Sequence, residues 1–249
     1  MALHYEETHR VRAYEVNECR TMRVPALLKV LHEAAMQNVI NLGISYWDLK
    51  PKGISWILLH QRLDIERLPK LGETITIHTR PSGFERLFNY RDYKVYDTEG
   101  QLLLSSASTW LLLHTATRKI AKIPRFILDL DNEMPNSARL NDLPRCQERL
   151  PRLSNFVQHV PFQVHWYDLD FNEHANNIAY VRWMFQVLPI DVLRKKHLQT
   201  LHISFKAECL LHQQITVKIS PTSPNEYLHQ IQAKEDGKVL ALAKTIWSD

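Results

Sequence analysis

Apolar residues run along this chain in two rhythms, helical and alternating, and the same succession of rhythms occurs twice. Leu28, Leu31, Ala35 and Val39 recur at helical spacing. Pro25 suits the first turn of that helix, where its missing N–H would have no intrahelical partner, and Gly43 can end it. In the second half Ile178, Val181, Phe185 and Leu188 repeat the helical spacing and Pro189 marks the stop. A short strand is expected before each helix, around 10–16 and 162–167. Strand-like stretches follow each helix, at 55–63, 74–80, 86–97 and 101–114, and again at 201–210, 214–220, 227–234 and 238–247. Alternation such as Ile215, Val217, Ile219 is that of a half-buried strand. Thr98-Glu99-Gly100 and Glu235-Asp236-Gly237 carry hairpin-turn chemistry.

The two halves align residue by residue. Val11 meets Val164, Tyr14 meets Tyr167, Glu15 meets Asp168 and Val16 meets Leu169. With a slightly different offset Leu71 and Ile75 fall on Leu211 and Ile215, and Gly100 and Trp110 on Gly237 and Trp247. The order and spacing of these matches indicate a duplicated domain. One long helix against an antiparallel sheet, made twice, is an α+β fold, and it fits a double hot-dog of two tandem repeats. The expected organisation is an N-terminal repeat over 1–120, a proline-bearing surface linker over 121–158 and a C-terminal repeat over 159–249. Phe126-Ile127-Leu128 within the linker is expected to pack down.

Composition narrows the function classes. The net charge of +4 is too mild to argue for nucleic acid, though it would suit an acidic partner. The longest apolar runs, such as Trp110 to Leu113, fall well short of a membrane span. Met-Ala-Leu-His-Tyr runs directly into Glu6 and Glu7 with no apolar stretch, so no targeting leader is expected. Three scattered cysteines, Cys19, Cys146 and Cys209, suggest neither a disulfide framework nor a zinc site, and a reducing cytoplasm is the natural setting. The few glycines form no GxGxxG or phosphate loop. No cofactor or metal is expected.

The repeat acts as an internal control for chemistry. Asp170 faces Asn17, Asn172 faces Cys19 and His174 faces Thr21. The turn DLDFNEHANN is therefore dense in groups that polarise, position or move protons, whereas its counterpart EVNECRTMRV is not. Asp and Asn before a helix are ordinary turn formers and caps, and Asn176 or Asn177 could simply be an N-cap. Asp-x-Asn-x-His in one repeat only outweighs that reading. The catalytic half is thus expected to be the second, with the first, rich in apolar helix and strand positions, binding an apolar ligand.

These residues resemble the acyl-acyl-carrier-protein thioesterases of plant plastids and their bacterial relatives. In the second half the likeness rests on Asp168–Asn177 and on FKAEC at 205–209, where the family carries a Glu-Cys pair. In the first it rests on RAYEV at 12–16, HEAA at 32–35 and STWLLLHTATRKIAKIP at 108–124. The resemblance implies a double hot-dog in one chain that hydrolyses the thioester between a fatty acid and the phosphopantetheine of acyl carrier protein. The missing leader points to a bacterial cytoplasmic enzyme rather than a plastid one, and Lys206-Ala207 stand where plant members tend to be more arginine-rich.

Under that resemblance Asn172 would polarise the thioester carbonyl, helped by the N–H groups at the start of the second helix. Glu208 would act as base on water, His174 would share that work or protonate the thiolate, and Asp170 would orient neighbours or bind the water. A rival assignment makes Cys209 the nucleophile of a Cys-His-Asn triad. If Glu208 and Cys209 lay in a regular strand, only one could face the site. Arg194-Lys195-Lys196 and the run Arg118, Lys119, Lys122, Arg125 are candidate carrier-protein contacts, and the tryptophans are expected mostly in the core, with Trp56 or Trp110 candidates to line an acyl tunnel. Alternatives are an acyl-CoA thioesterase, a hot-dog dehydratase and a non-catalytic acyl-binding or carrier-docking module. A further homodimer is compatible with the duplication but not required by it.

Overall fold

The computed structural model describes residues 3–132, 139–145 and 149–249; Cys146 lies outside them. The chain divides into two compact units, Met1–Gln147 and Glu148–Asp249.

The first unit contains β1 (Tyr5–Arg10), α1 (Val24–Asn41), the single turn α2 (Tyr46–Leu49), β2 (Ile54–Ile65), β3 (Thr74–Glu85), β4 (Phe88–Tyr96), β5 (Leu102–His114), β6 (Ile120–Ala121) and α3 (Arg125–Asn132). Its antiparallel strands lie in the order β1-β3-β4-β5-β2, with β6 added beside β5. The second contains β7 (Gln158–Gln163), α4 (Asn177–Gln186), α5 (Ile190–Lys195), β8 (His197–Phe205), β9 (Gln214–Ser223), β10 (Glu226–Ala233) and β11 (Val239–Ser248). Its order is β7-β9-β10-β11-β8, the first unit's order element for element. The fold is the α+β double hot-dog expected from the repeat.

In each unit the helix covers one face of its sheet because that face is where the alternation puts its apolar side chains. Leu27, Leu28, Leu31, Ala34 and Ala35 of α1 are buried, and the helix packs on β1 and β3. Ile178, Ala179, Val181 and Trp183 do the same for α4 against β9 and β10. Pro25 sits in the first turn of α1, and Gly43, with φ of 66°, closes it. Gly100 and Gly237 take left-handed φ of 77° and 69° in the two hairpin turns, which a Cβ would resist.

Several local expectations differ from what forms. The stretches around 10–16 and 162–167 are not single strands. The opening strands run earlier, as β1 and β7, and each chain then enters a 3-10 turn, Ala13–Glu15 or Trp166–Asp168. Both turns are fixed by a carboxylate reaching back to a backbone N–H. Glu15 accepts from Arg12 at 2.7 Å and Asp168 from His165 at 2.8 Å. Pro189 ends one helix but also starts α5, since proline suits an entry as well as an exit. Of the tryptophans, Trp183 and Trp247 are core, Trp56 and Trp110 are half-buried, and Trp47 and Trp166 are exposed. Within 121–158, Ile127 joins a core with Leu42, Ile44, Leu49 and Leu112, while Phe126 and Leu128 stay largely exposed. Residues further along hold β4 and β5: Arg139 pairs with Asp92 at 3.2 Å, and the Asn141 amide donates to the Tyr93 and Ser106 carbonyls at 3.1 and 2.9 Å.

Candidate active site

All five candidate residues belong to the second unit, on two segments that meet: the turn before α4 and the irregular stretch after β8. The turn closes on itself. The Asp170 N–H donates to the His174 carbonyl at 2.8 Å, and Glu173 takes a left-handed φ of 63°. One Asp170 carboxylate oxygen accepts the backbone N–H of Asn172 at 2.8 Å and of His174 at 3.4 Å. Asp170 is thus an Asx-type turn former, and this explains how a short loop can hold both following side chains.

The second segment docks onto the turn by backbone pairing. His174 bridges Leu210, and the Ala175 N–H donates to the Cys209 carbonyl at 2.9 Å. This pairing brings His174 Nε2 to 3.5 Å from a Glu208 carboxylate oxygen, with both side chains partly open to solvent. The side-chain amide of Asn172 makes no hydrogen bond among the described residues and is free to meet a substrate oxygen.

Glu208 and Cys209 do not lie in a regular strand, since β8 ends at Phe205. They still alternate. Glu208 is the open one, with a side chain 41% exposed, and Cys209 is fully buried. Burial pushes the Cys209 thiol up to about 11, against a smaller lowering by the Tyr180 hydroxyl. A thiol in that state is almost wholly protonated near neutrality and a poor nucleophile. Of the N–H groups expected to help at the start of α4, those of Ala175, Asn176 and Ile178 are already engaged. Ala175 donates to Cys209, Asn176 to Asp168, Ile178 to the Asn176 side chain at 2.9 Å and Ala179 to the Asn176 carbonyl. Asn176 is the N-cap.

Matches to domain models now bear on these features. The acyl-ACP thioesterase N-terminal domain matches residues 2–130, and the acyl-ACP thioesterase C-terminal domain matches residues 154–249. The chain belongs to the acyl-ACP thioesterase family. Family relatives include the chloroplastic dodecanoyl-[acyl-carrier-protein] hydrolase of Cinnamomum camphora, 25% identical over 98% of this chain. Another is a chloroplastic acyl-[acyl-carrier-protein] hydrolase of Cuphea viscosissima, 24% identical over 98%. The chain spans 67% and 62% of the lengths of those two relatives. Among solved structures, the 12:0-ACP thioesterase of Umbellularia californica superposes with a TM-score of 0.88 at 21% identity, covering 100% of this chain and 98% of that one. An acyl-ACP thioesterase of Bacteroides thetaiotaomicron gives 0.82 at 19% identity, covering 98% of both.

Two residues supporting the site in this acyl-ACP thioesterase family member were not picked out from sequence. Tyr180 of α4 is buried and donates its hydroxyl to the Ala207 carbonyl at 3.0 Å, pinning the stretch that carries Glu208 and Cys209. Nothing in its position along the sequence sets it apart from the apolar residues of the same helix. Asp168, 5% exposed, is held by Arg182, one helix face away. The match of Asp168 with Glu15 across the repeat was the available signal for a shared structural role. The basic clusters divide. Lys195 pairs with Asp191 at 2.9 Å and Lys196 with Asp249 at 3.1 Å, whereas Lys119, Lys122 and Arg125 stand exposed.

Proposed function

We propose that this protein hydrolyses the thioester of a fatty acyl group carried on acyl carrier protein, releasing free fatty acid and the carrier's thiol. The observation that carries this reading is the contact of His174 with Glu208 beside a free Asn172 amide, in a turn whose first-half twin has none of these groups. Asn172 donates to the carbonyl oxygen as negative charge builds there. Glu208 and His174 take the proton of the attacking water, and the imidazolium returns a proton to the departing sulfur. Asp170 orders the turn. Cys209, buried and protonated, packs behind the site and is not the nucleophile. The first half takes the acyl chain, supported by the buried Leu31 and Ala35 on α1.

Family membership supports acyl carrier protein as the partner, and the exposed Lys119, Lys122 and Arg125 suit its acidic surface. A bacterial cytoplasmic setting is part of this proposal, in keeping with three scattered cysteines. The deciding experiment is hydrolysis of chain-matched acyl-carrier-protein and acyl-CoA thioesters by purified protein. Turnover is expected, with higher kcat/KM on carrier protein and a fall as salt screens the charge pairing. Equal efficiency on both would remove the carrier preference, and no turnover on either would leave a binding module. Leu31→Trp or Ala35→Phe should shift chain-length preference more than turnover on the best substrate; an unchanged profile in folded variants would count against the first half's role.

A further inference from the structure

The stretch after β8 and its twin in the first half share a backbone and differ in charge. The Lys206 and Ala207 N–H groups both donate to the Leu240 carbonyl, at 2.8 and 3.1 Å, as those of Glu66 and Arg67 do to Leu103, at 2.9 and 3.3 Å. Lys206 thus stands where the first half has Glu66, and Ala207 where it has Arg67. Arg67 is paired with Glu73 at 2.7 Å and Asp97 at 2.9 Å. Lys206 is exposed and pairs with no acid among the described residues. The backbone accepts either sign of charge at this position, and the second half places a cation there, two residues before Glu208.

Two arginines join it from the segment before β7. Phe205 meets the Tyr180 ring of α4, with centroids 5.6 Å apart, so its neighbour Ser204 faces away from that helix. Ser204, Leu242 and Gln230 lie side by side across β8, β11 and β10 and are buried on that outer face. The Leu153 N–H donates to the Gln230 side-chain oxygen at 3.0 Å, and Leu150 is buried. The segment 149–153 thereby reaches the outer face while Arg149 and Arg152 stay exposed. Partial burial first, and the charges of Arg149 and Arg152 second, hold the Lys206 ammonium below its ordinary range. Neither arginine pairs with an acid among the described residues. Glu208, two residues from Lys206, is turned to His174. Like charges drawn together repel, and an anion placed among them offsets that cost.

The anion has to belong to something that reaches Glu208. In a thioester on carrier protein or on CoA, the sulfur side continues into a phosphopantetheine arm, and the phosphate is the only charge on that arm. Arginine takes phosphate oxygens through parallel N–H donors, and lysine takes them as a point charge. We propose that Arg149, Arg152 and Lys206 bind the phosphate of the substrate's phosphopantetheine arm. This deepens the proposed thioesterase function by naming what holds the leaving-group side of the thioester, and it rests on that reading. The phosphate has two sources, the arm on carrier protein and the arm on CoA.

Titration calorimetry of the intact protein with 4′-phosphopantetheine and with pantetheine tests the site without any need for activity. The phosphorylated arm should bind about ten- to a hundredfold more tightly, the range for hydrogen bonds to a charged group. Lys206→Glu, which installs the first half's residue, should erase that preference, and Arg149→Gln and Arg152→Gln should each reduce it. Hydrolysis of decanoyl-carrier protein and of decanoyl-CoA distinguishes the sources. With the preference erased, a fall in kcat/KM on both thioesters places the arm of either at the cluster, and a fall on one alone places that one's arm there. Equal binding of the two arms by the wild type overturns the site. So does a preference that survives all three substitutions, and a fall confined to the carrier-protein substrate would then mean that the cluster touches the carrier's own acidic side chains. Phosphate-selective binding with no hydrolysis of either thioester would instead overturn the thioesterase reading and leave the site standing.

Discussion

The turns at 17–21 and 170–174 have the same backbone and different chemistry. In each, the first residue's N–H donates to the fifth residue's carbonyl, Asn17 to Thr21 at 2.9 Å and Asp170 to His174 at 2.8 Å. The first residue's side-chain oxygen accepts the N–H groups of the third and fifth, at 3.0 Å each for Asn17. The fourth takes a left-handed φ, 61° at Arg20 and 63° at Glu173. Each turn is followed by one backbone bond to the facing segment, Met22 to Pro69 at 2.7 Å and Ala175 to Cys209 at 2.9 Å. In that register Leu68 and Pro69 stand where the second half has Glu208 and Cys209. The scaffold therefore needs neither His174 nor Glu208 nor Cys209 in order to fold. For His174 and Glu208, partly open to solvent, this leaves chemistry rather than the fold as the reason for their presence.

That equivalence makes the harshest test a mild one for the fold. His174→Thr and Glu208→Leu each install the residue that the first half already tolerates. Each should lower kcat by about 10²–10⁴, the usual worth of a general acid or base. Asn172→Ala should cost about 10²–10³, the loss of one oxyanion donor. Thermal midpoints within a few degrees of wild type, with activity lost, would confirm the separation. A variant that unfolds would break it.

The cores of the two halves differ in a way that pH can read. His229 of β10 is buried and contacts the Thr245 hydroxyl at 3.0 Å, to which the Trp247 indole also donates at 3.0 Å. In the first half Tyr93 stands at the matching place, opposite Thr79 as His229 is opposite Ile219. Burial lowers His229 from its ordinary 6.5 to about 3. The unfolded chain therefore takes up a proton that the folded chain refuses. Stability is full above about pH 6.5 and falls as pH drops toward 3, by up to about 1.4 kcal/mol per pH unit. His32, also lowered by burial, acts in the same direction. His229→Gln keeps an amide near the Nε2 position and does not titrate. Its denaturant midpoint should fall less steeply with acid than that of the wild type; parallel curves would remove His229 from the account.

Much of this was legible before any coordinates. The helices α1 and α4, eight of the strands and the pairing of Asp170 with Asn17 follow from period, turn residues and self-comparison, because the duplication imposes the same pattern twice. The polar edge strand β1, YEETHR, was misplaced because its alternation carries few apolar residues and pairs on one side only. Glu208 was expected in a strand because ISFKAEC keeps a two-residue alternation, and that alternation survives in burial after the ladder has ended at Phe205. Tyr180 gave no signal. Its role depends on which stretch lies opposite the helix, and that is a tertiary fact.

Cys209 offers a smaller effect. Under the proposed assignment this buried thiol, raised to about 11 and with Pro69 as its counterpart, fills space rather than attacking the substrate. Cys209→Ala should keep kcat/KM within about tenfold, a change of at most roughly 1.4 kcal/mol. A dead but folded Cys209→Ala, with an acyl adduct trapped on Cys209 in the wild type, would restore the Cys-His-Asn assignment and demote Glu208 to positioning.

The smallest effect on the fold is expected at Asp170, and it isolates a charge. Only one carboxylate oxygen of Asp170 accepts the turn's N–H groups. Asn17 makes the same two bonds through an amide oxygen and adds the Thr21 hydroxyl at 3.0 Å. Asp170→Asn therefore keeps every acceptor the turn requires and removes only the negative charge and one acceptor site. Surface substitutions that preserve such bonds usually stay within about 0.5 kcal/mol, so the denaturant midpoint should not move. Asp170→Ala, by contrast, leaves two backbone donors without their acceptor and should destabilise by about 1 kcal/mol, as loss of a comparable capping side chain does. With the fold unchanged in Asp170→Asn, any rate it loses belongs to the second oxygen and its charge acting on His174 or on the attacking water. A destabilised Asp170→Asn would mean that the two turns are held differently, and the equivalence of the halves would fail at the point where they look most alike.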